Sequence, residues 1–247
     1  LTAHFQLSDC LLSVPDLAGS YATVTALRSD GTVWAWGSNV GGMLGNGGPE
    51  ESGEDSRPAA ATVPGFSGTP LQATAMAAGG MHTLVIGERN SAWGDNSAGQ
   101  LGNGKTENAS EPIYIYGLSD SILAAGEDFS MSLSLDQNGR SSVYYWGFDI
   151  INGTGNVLTP TKLSIPEPTY PTINYMPTNV IDIAAGGKAA LLLCRDGTVW
   201  TVGWGSSTED RLPRQVEELE HISAISVGSG YFLALGQHGT VWTWGSG

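Results

Sequence analysis

One feature limits what this chain can fold into more than any other: a unit that occurs five times in its 247 residues. Each unit has a small-residue step ending in glycine, a short apolar run, a turn, and a second run closing on Trp-Gly. The copies are "AGSYATVTALRSDGTVWAWG" from Ala18, "AGGMHTLVIGERNSAWG" from Ala78, "AGEDFSMSLSLDQNGRSSVYYWG" from Ala125, "AGGKAALLLCRDGTVWTVGWG" from Ala185 and "VGSGYFLALGQHGTVWTWG" from Val227. Their leading glycines, Gly19, Gly79, Gly126, Gly186 and Gly228, lie 60, 47, 60 and 42 residues apart. That period approaches the ~50 residues of a four-stranded propeller blade.

Each unit reads as strands. In "TVWAWG", Trp34 and Trp36 share one face while Val33 and Ala35 share the other, the period of 2 that a strand between two sheets shows. Asp30-Gly31, Asn138-Gly139, Asp196-Gly197 and His238-Gly239 stand where a hairpin needs a residue tolerant of positive φ. The 35 glycines, 12 prolines and 8 tryptophans, with only 14% charged residues, suit many short strands joined by tight turns. Trp36, Trp93, Trp146 and Trp244, at the Trp-Gly steps, are expected to be mostly buried between blades.

A second half recurs between the units: a Gly-rich turn, a proline and a β-rich strand, in "NVGGMLGNGG" before Arg57-Pro58 and "NSAGQLGNG" before Glu111-Pro112. Later copies are degenerate, with Thr159-Pro160 and Leu212-Pro213 marking the same place. The order Ala-Gly, apolar strand, Asp-Gly turn, Trp-Gly, Gly-Gln-Leu-Gly-Asn-Gly, Pro resembles the repeat of the regulator of chromosome condensation family, most fully at 78 to 112. The resemblance implies an all-β propeller occupying 1–247 as a single domain. Members of that family are typically seven-bladed, whereas five copies are visible. A closed ring of five blades is favoured, residues 1–18 completing the blade formed by 228–247, over a fragment of a seven-bladed propeller.

The formal charge of −14 leaves no basic stripe for phosphate contacts, which argues against nucleic acid as a partner. No apolar run reaches the roughly 18 to 20 residues that span a bilayer. Cys10 and Cys194 lack C-x-x-C spacing. Of the histidines His4, His82, His221 and His238, none has a close partner in sequence suggesting a metal pair or a nucleophile elbow. His82 stands where the family's repeat often carries histidine, which implies a hydrogen-bonding role. The glycine runs are followed by no amphipathic helix and read as blade turns, and Asp95 alone cannot make a calcium loop. The sequons at Asn108 and Asn152 would permit glycosylation in a secretory compartment. No catalytic residue, cofactor or metal site is expected.

Two insertions lengthen the period. One is acidic, with Glu50, Glu51, Glu54 and Asp55; the other, "IPEPTYPTINYMP" at 165–177, carries Tyr170, Tyr175 and Met176 on a proline-stiffened loop. Rigid aromatics of this kind supply interface hot spots, so both loops are candidate contacts for a protein partner. The expected function is a non-catalytic interaction scaffold, acting as a monomer. The family resemblance also implies two alternatives: guanine nucleotide exchange on a small GTPase, or inhibition of a secreted enzyme.

Overall fold

The computed structural model describes residues 16–48, 57–65, 69–118, 121–164, 177, 179–203, 205 and 207–245. The strands form five antiparallel sheets in chain order. The first holds β1 (Asp16–Gly19), β2 (Thr23–Leu27), β3 (Val33–Gly37) and β4 (Arg57–Thr62). The second holds β5 (Ala73–Ala78), β6 (His82–Gly87), β7 (Ser91–Gly94) and β8 (Ala109–Tyr114). The third holds β9 (Ser121–Ala125), β10 (Phe129–Leu135), β11 (Ser141–Phe148) and β12 (Asn156–Lys162). The fourth holds β13 (Val180–Gly186), β14 (Ala189–Cys194), β15 (Val199–Val202) and β16 (Arg214–Gln215), with the helical turn α1 (Thr208–Arg211) before β16. In the fifth, β17 (Ile222–Val227), β18 (Tyr231–Gly236) and β19 (Val241–Gly245) are described.

Each repeat is therefore one blade. The spacing glycines stand at the ends of the first strands, and those strands face one another: β1 and β2 contact β5, β5 and β6 contact β9, β9 and β10 contact β13, and β13 and β14 contact β17. The first strand of each blade is thus the inner one. This corrects part of the expectation for residues 1–18. Asp16 pairs with Leu27 and Ala18 with Thr25, so these residues belong to the first blade, because the step ending in Gly19 closes an inner strand. Residues 1–15 of that segment lie outside the described residues.

The turns behave as their chemistry dictates. Gly31, Gly139, Gly197 and Gly239 all take φ between 73° and 85°. Asp30 Oδ1 accepts from the Thr32 N–H at 3.0 Å and Asp196 Oδ1 from the Thr198 N–H at 3.0 Å, each also taking the threonine hydroxyl. These bonds, the hydroxyl's foremost, hold both carboxyls below their usual range.

Blades bury both faces of the second strand wherever a neighbour stands on each side. β14 is buried along its whole length, and β6 is buried from His82 to Ile86. In the first blade, by contrast, β2 alternates buried with half-buried residues. The largest apolar cluster joins Phe129, Met131 and Leu133 of the third blade to Ile183, Leu192 and Val202 of the fourth. Cys194, in the same cluster, is a free thiol whose pKa burial pushes up.

Two devices shape the blades, one locking the second blade to the first and the third to the second, the other acting within each blade. The first explains the Gly-Gln-Leu-Gly-Asn-Gly loop. Trp93 Nε1 donates to the Met43 carbonyl of the preceding blade's loop at 3.0 Å, and Trp146 Nε1 donates to the Gln100 carbonyl at 2.8 Å. A Cβ on Gly45 or Gly102 would stand 2.7 or 2.8 Å from those indole nitrogens, so glycine lets the loop lie against the ring. Asn39 and Asn96 hold the loops in place, their Oδ1 atoms accepting from the N–H groups of Leu44 (3.1 Å) and Leu101 (2.9 Å).

The second device explains the glycine after each tryptophan. Gly37, Gly94, Gly147 and Gly245 have φ from 92° to 134°, and the equivalent Gly203 has φ 81°. A Cβ at any of the five would collide with a carbonyl oxygen of the adjacent first turn, that of Ala22, Met81, Asp128, Lys188 or Gly230. Pairing to the fourth strand shifts register here, between Ala35 and Gly37, Ala92 and Gly94, and Tyr145 and Gly147.

Trp93 and Trp146 are fully buried. Trp36 and Trp244 are less completely buried, so the four tryptophans differ in the degree of their burial. Among the described residues no neighbouring loop lays a carbonyl on either indole. Trp244 instead stacks on Phe232 of its own blade, with centroids 5.3 Å apart.

Candidate functional site at the converging turns

The turns that join the first and second strands of successive blades reach one another. Tyr21 N–H donates to the Gly80 carbonyl at 3.1 Å, Gly80 N–H to the Gly126 carbonyl at 3.0 Å, and Glu127 N–H to the Gly187 carbonyl at 2.7 Å. The Tyr21 hydroxyl bonds Glu127 Oε1 at 2.5 Å, so the first and third blades touch across the second. That bond, more than any other influence, raises the Tyr21 pKa to about 12. Hydrogen bonds thus join the turns of the first four blades into a rim, with that of the fifth lying beside Gly187, and their residues differ from copy to copy: Ser20-Tyr21, Gly80-Met81, Glu127-Asp128, Gly187-Lys188 and Ser229-Gly230.

Three residues after each leading glycine come Ala22, His82, Phe129, Ala189 and Tyr231. Where that residue carries a ring, the ring lies over the glycine: a Cβ on Gly79, Gly126 or Gly228 would enter the side chain of His82, Phe129 or Tyr231. Gly19, which precedes Ala22, has open space in that direction.

His82 has the structural role its position implies, and the direction of its hydrogen bond shows why. Its Nε2 is 2.8 Å from Ser130 Oγ in the next blade, and Ser130 Oγ donates its single proton to the Gln100 carbonyl at 2.8 Å. The imidazole must therefore carry its proton on Nε2 and donate to the hydroxyl. This is the reverse of what activates a serine nucleophile, where the imidazole accepts. His82 Nδ1 is buried with no hydrogen-bond partner, and burial pushes the pKa down to about 4, against a weaker opposing effect of Asp95.

That depression has a measurable consequence. Between pH 6.5 and about 4 the unfolded chain binds a proton at His82 that the folded chain does not. Stability should therefore fall as the pH drops through this window, by about 3 kcal/mol in all. Urea midpoints of the wild type and of His82→Asn across that range check this, since the variant should lose that component of the slope.

A cavity of about 640 Å³ opens beside the rim, between the third, fourth and fifth blades. Its place follows from a change in the repeat. The residue equivalent to Trp93 and Trp146 in the fourth blade is Val202, and the loop facing it is Ile150-Ile151-Asn152-Gly153 rather than Gly-Gln-Leu-Gly-Asn-Gly. Asp149 replaces the loop-holding asparagine, its Oδ1 accepting from the N–H groups of Ile151 and Asn152 at 3.0 Å each. Among the described residues no indole seals the junction, and Ile150, Gly153, Gly203 and Gly205 become lining.

The charged residues on the wall are Lys188, Arg211 and Glu127, and the apolar ones include Phe148 and Phe232. Lys188 Nζ sits 5.0 Å from the Phe148 ring centroid. Arg211 Nη1 donates to the Asn152 carbonyl at 3.2 Å, and a Cβ on Gly153 would run into its guanidinium. Beside them Asp128 is held above the usual carboxylate range, chiefly by burial and then by Glu127, with Lys188 opposing.

The candidate contacts Glu50, Glu51, Glu54, Asp55, Tyr170, Tyr175 and Met176 all lie outside the described residues. The rim and the cavity were not singled out in the sequence, although it carries two signs of them. Positions just after the leading glycines vary while their surroundings repeat, and the third copy's loop departs from the pattern together with the loss of tryptophan at 202.

The family model for the Regulator of chromosome condensation (RCC1) repeat matches residues 30–86 and 92–133. In sequence the chain is similar to the E3 ubiquitin-protein ligase HERC2 of Mus musculus, 28% identical over 94% of this chain but only 5% of that protein. It is 25% identical to the Guanine nucleotide exchange factor SRM1 of Saccharomyces cerevisiae, over 86% of this chain and 52% of that one. It is 29% identical to the Secretion-regulating guanine nucleotide exchange factor of Bos taurus, over 90% and 49%. The chain thus spans about half the length of the two exchange factors.

Among solved structures, human WBSCR16 superposes with a TM-score of 0.72 at 21% identity, over 92% of this chain and 60% of that one. Yeast RCC1 (Prp20), solved with Kap60 bound to it, gives 0.69 at 21% identity, over 93% and 55%. At that identity the likeness concerns the fold. Together with the five sheets, the Trp-Gly steps and the loops that cap them, these matches show a propeller built of repeats similar to those of the regulator of chromosome condensation family.

Proposed function

We propose that this chain is a non-catalytic binding module whose protein partner docks on the face where the first turns converge. The observation that carries the reading is the combination on that face: side chains that vary from blade to blade on a hydrogen-bonded rim, next to a cavity where the inter-blade seal is relaxed. A rigid scaffold presenting variable residues is how repeat folds acquire specific partners. The acidic run from Glu50 to Asp55 and the group Tyr170, Tyr175 and Met176 are proposed as further contacts. The net charge of −14 favours a protein over a nucleic acid.

Site-specific photo-crosslinking tests this. A crosslinking side chain at Ser229, on the rim, should capture the partner in cells, whereas one at Tyr116, exposed just beyond β8, should not. Capture from Tyr116 alone would place binding on the outer strands and sink the proposal.

Guanine nucleotide exchange is a second reading, favoured by the two exchange factors among the relatives, each matched over 86% or more of this chain. The expected result under it is substoichiometric acceleration of fluorescent GDP release from one member of a small-GTPase panel. Release at the intrinsic rate across the panel would leave binding without exchange.

A further inference from the structure

We propose that Tyr21 anchors the docking face and receives a basic side chain of the protein partner, laid on its ring and paired with Glu127. The inference rests on the reading of that face as the docking surface, and gives it a chemistry.

The first argument is exposure. Tyr21 is the one aromatic residue in the five turns, and it is 65% exposed. Its neighbours along the rim are small or charged apart from Met81. A large ring left in solvent among such residues is the type of group that carries binding energy at an interface.

The second argument is preorganisation. The Tyr21 N–H donates to the Gly80 carbonyl at 3.1 Å and its hydroxyl to Glu127 Oε1 at 2.5 Å, so the residue is held at both ends across the turn of the second blade. A Cβ on Gly80 would stand 3.2 Å from Tyr21 Cε2, so the ring lies close over a residue with no side chain to lift it. The ring is therefore ordered before a partner arrives, which removes a cost that binding would otherwise meet.

The third argument is charge. Donation of the hydroxyl proton to a carboxylate enriches the ring face that a cation would meet. After that bond and burial, the negative charges of Glu127 and Asp128 also hold the Tyr21 proton in place, so their field reaches the ring. Among the described residues neither carboxylate is in an ion pair. Lys188, the one basic residue in the turns, opposes Asp128 and lies 5.0 Å from the Phe148 ring centroid. Glu127 keeps acceptor capacity beyond the Tyr21 bond. An arginine suits the pair best, with its plane on the ring and its donor fork on the carboxylate.

The test is selection of a random displayed peptide library on the intact chain. The selected peptides are then titrated against wild type, Tyr21→Leu, Tyr21→Phe and Glu127→Gln. Glu88→Gln is the charge-matched control, exposed in the turn between β6 and β7 at the other end of the second blade. Thermal melts accompany each variant, and Glu127→Gln, which keeps the backbone bonds of its turn, leaves the test decisive if Tyr21→Leu unsettles the first blade.

Selected peptides should be enriched in Arg or Lys. They should bind Tyr21→Leu and Glu127→Gln about tenfold more weakly, and Glu88→Gln as they bind wild type. Tyr21→Phe keeps the ring and should bind about threefold or more better than Tyr21→Leu. Recovery of no peptides, enrichment of Asp and Glu, or equal binding to Tyr21→Phe and Tyr21→Leu would each overturn the proposal. So would equal binding to wild type and Tyr21→Leu, the mark of a general attraction between basic peptides and an acidic chain. Crosslinking separates the two levels. Peptides without a basic residue attached at Ser229 would sink this inference and leave the docking face intact, whereas attachment only at Tyr116 would sink the face as well.

Discussion

Replacing Trp93 or Trp146 by alanine is expected to destabilise the chain by about 3 to 5 kcal/mol, the cost of emptying a sealed aromatic site. Both rings are fully buried, and each indole N–H donates to a loop carbonyl of the preceding blade, that of Met43 or Gln100. Truncation therefore leaves a cavity between two blades and frees a buried acceptor together. Trp36→Ala and Trp244→Ala should cost distinctly less, because those rings are half-buried and no neighbouring loop carbonyl is laid on them among the described residues. Urea denaturation of the four variants checks the ranking. Equal losses at all four positions would show that stability comes from the tryptophan within its own blade rather than from the lock between blades.

Gly147→Ala is expected to cost about 2 to 4 kcal/mol although it adds a single carbon. Gly147 has φ 92°, which an L side chain resists, and an added Cβ would stand 2.5 Å from the Asp128 carbonyl oxygen and 2.7 Å from the Phe129 Cα. Those atoms are backbone and cannot swing aside, so the strand would have to leave the turn it packs on. Gly139→Ala is the control. It shares positive φ, 73°, but nothing lies within 4 Å of its added Cβ, so the conformational penalty alone should appear, about 1 to 2 kcal/mol. If the two variants lost the same stability, the close approach would contribute nothing and the glycine after tryptophan would be there for its dihedral angle alone.

The sequence by itself determined the five repeats that become the five sheets and the turns that join their strands. These are local properties: strand alternation, a glycine where φ is positive and a small residue where a turn is tight are read within a few residues of one another. It also determined the acidic balance that argues against nucleic acid. Only the tertiary structure decided which tryptophans are sealed, because Trp93 and Trp36 sit in the same motif and differ, among the described residues, in whether another blade's loop reaches them. It decided the direction of the His82 hydrogen bond, which depends on Ser130 and Gln100, distant in sequence and brought together by the meeting of two blades. It decided that Asp16 to Ala18 belong to the first blade, a matter of which strand lies beside them. Above all it decided where the cavity lies: Ile150, Lys188 and Arg211 are unremarkable in three separate stretches of chain, and they become one wall only because the third, fourth and fifth blades meet around a junction that no indole fills among the described residues.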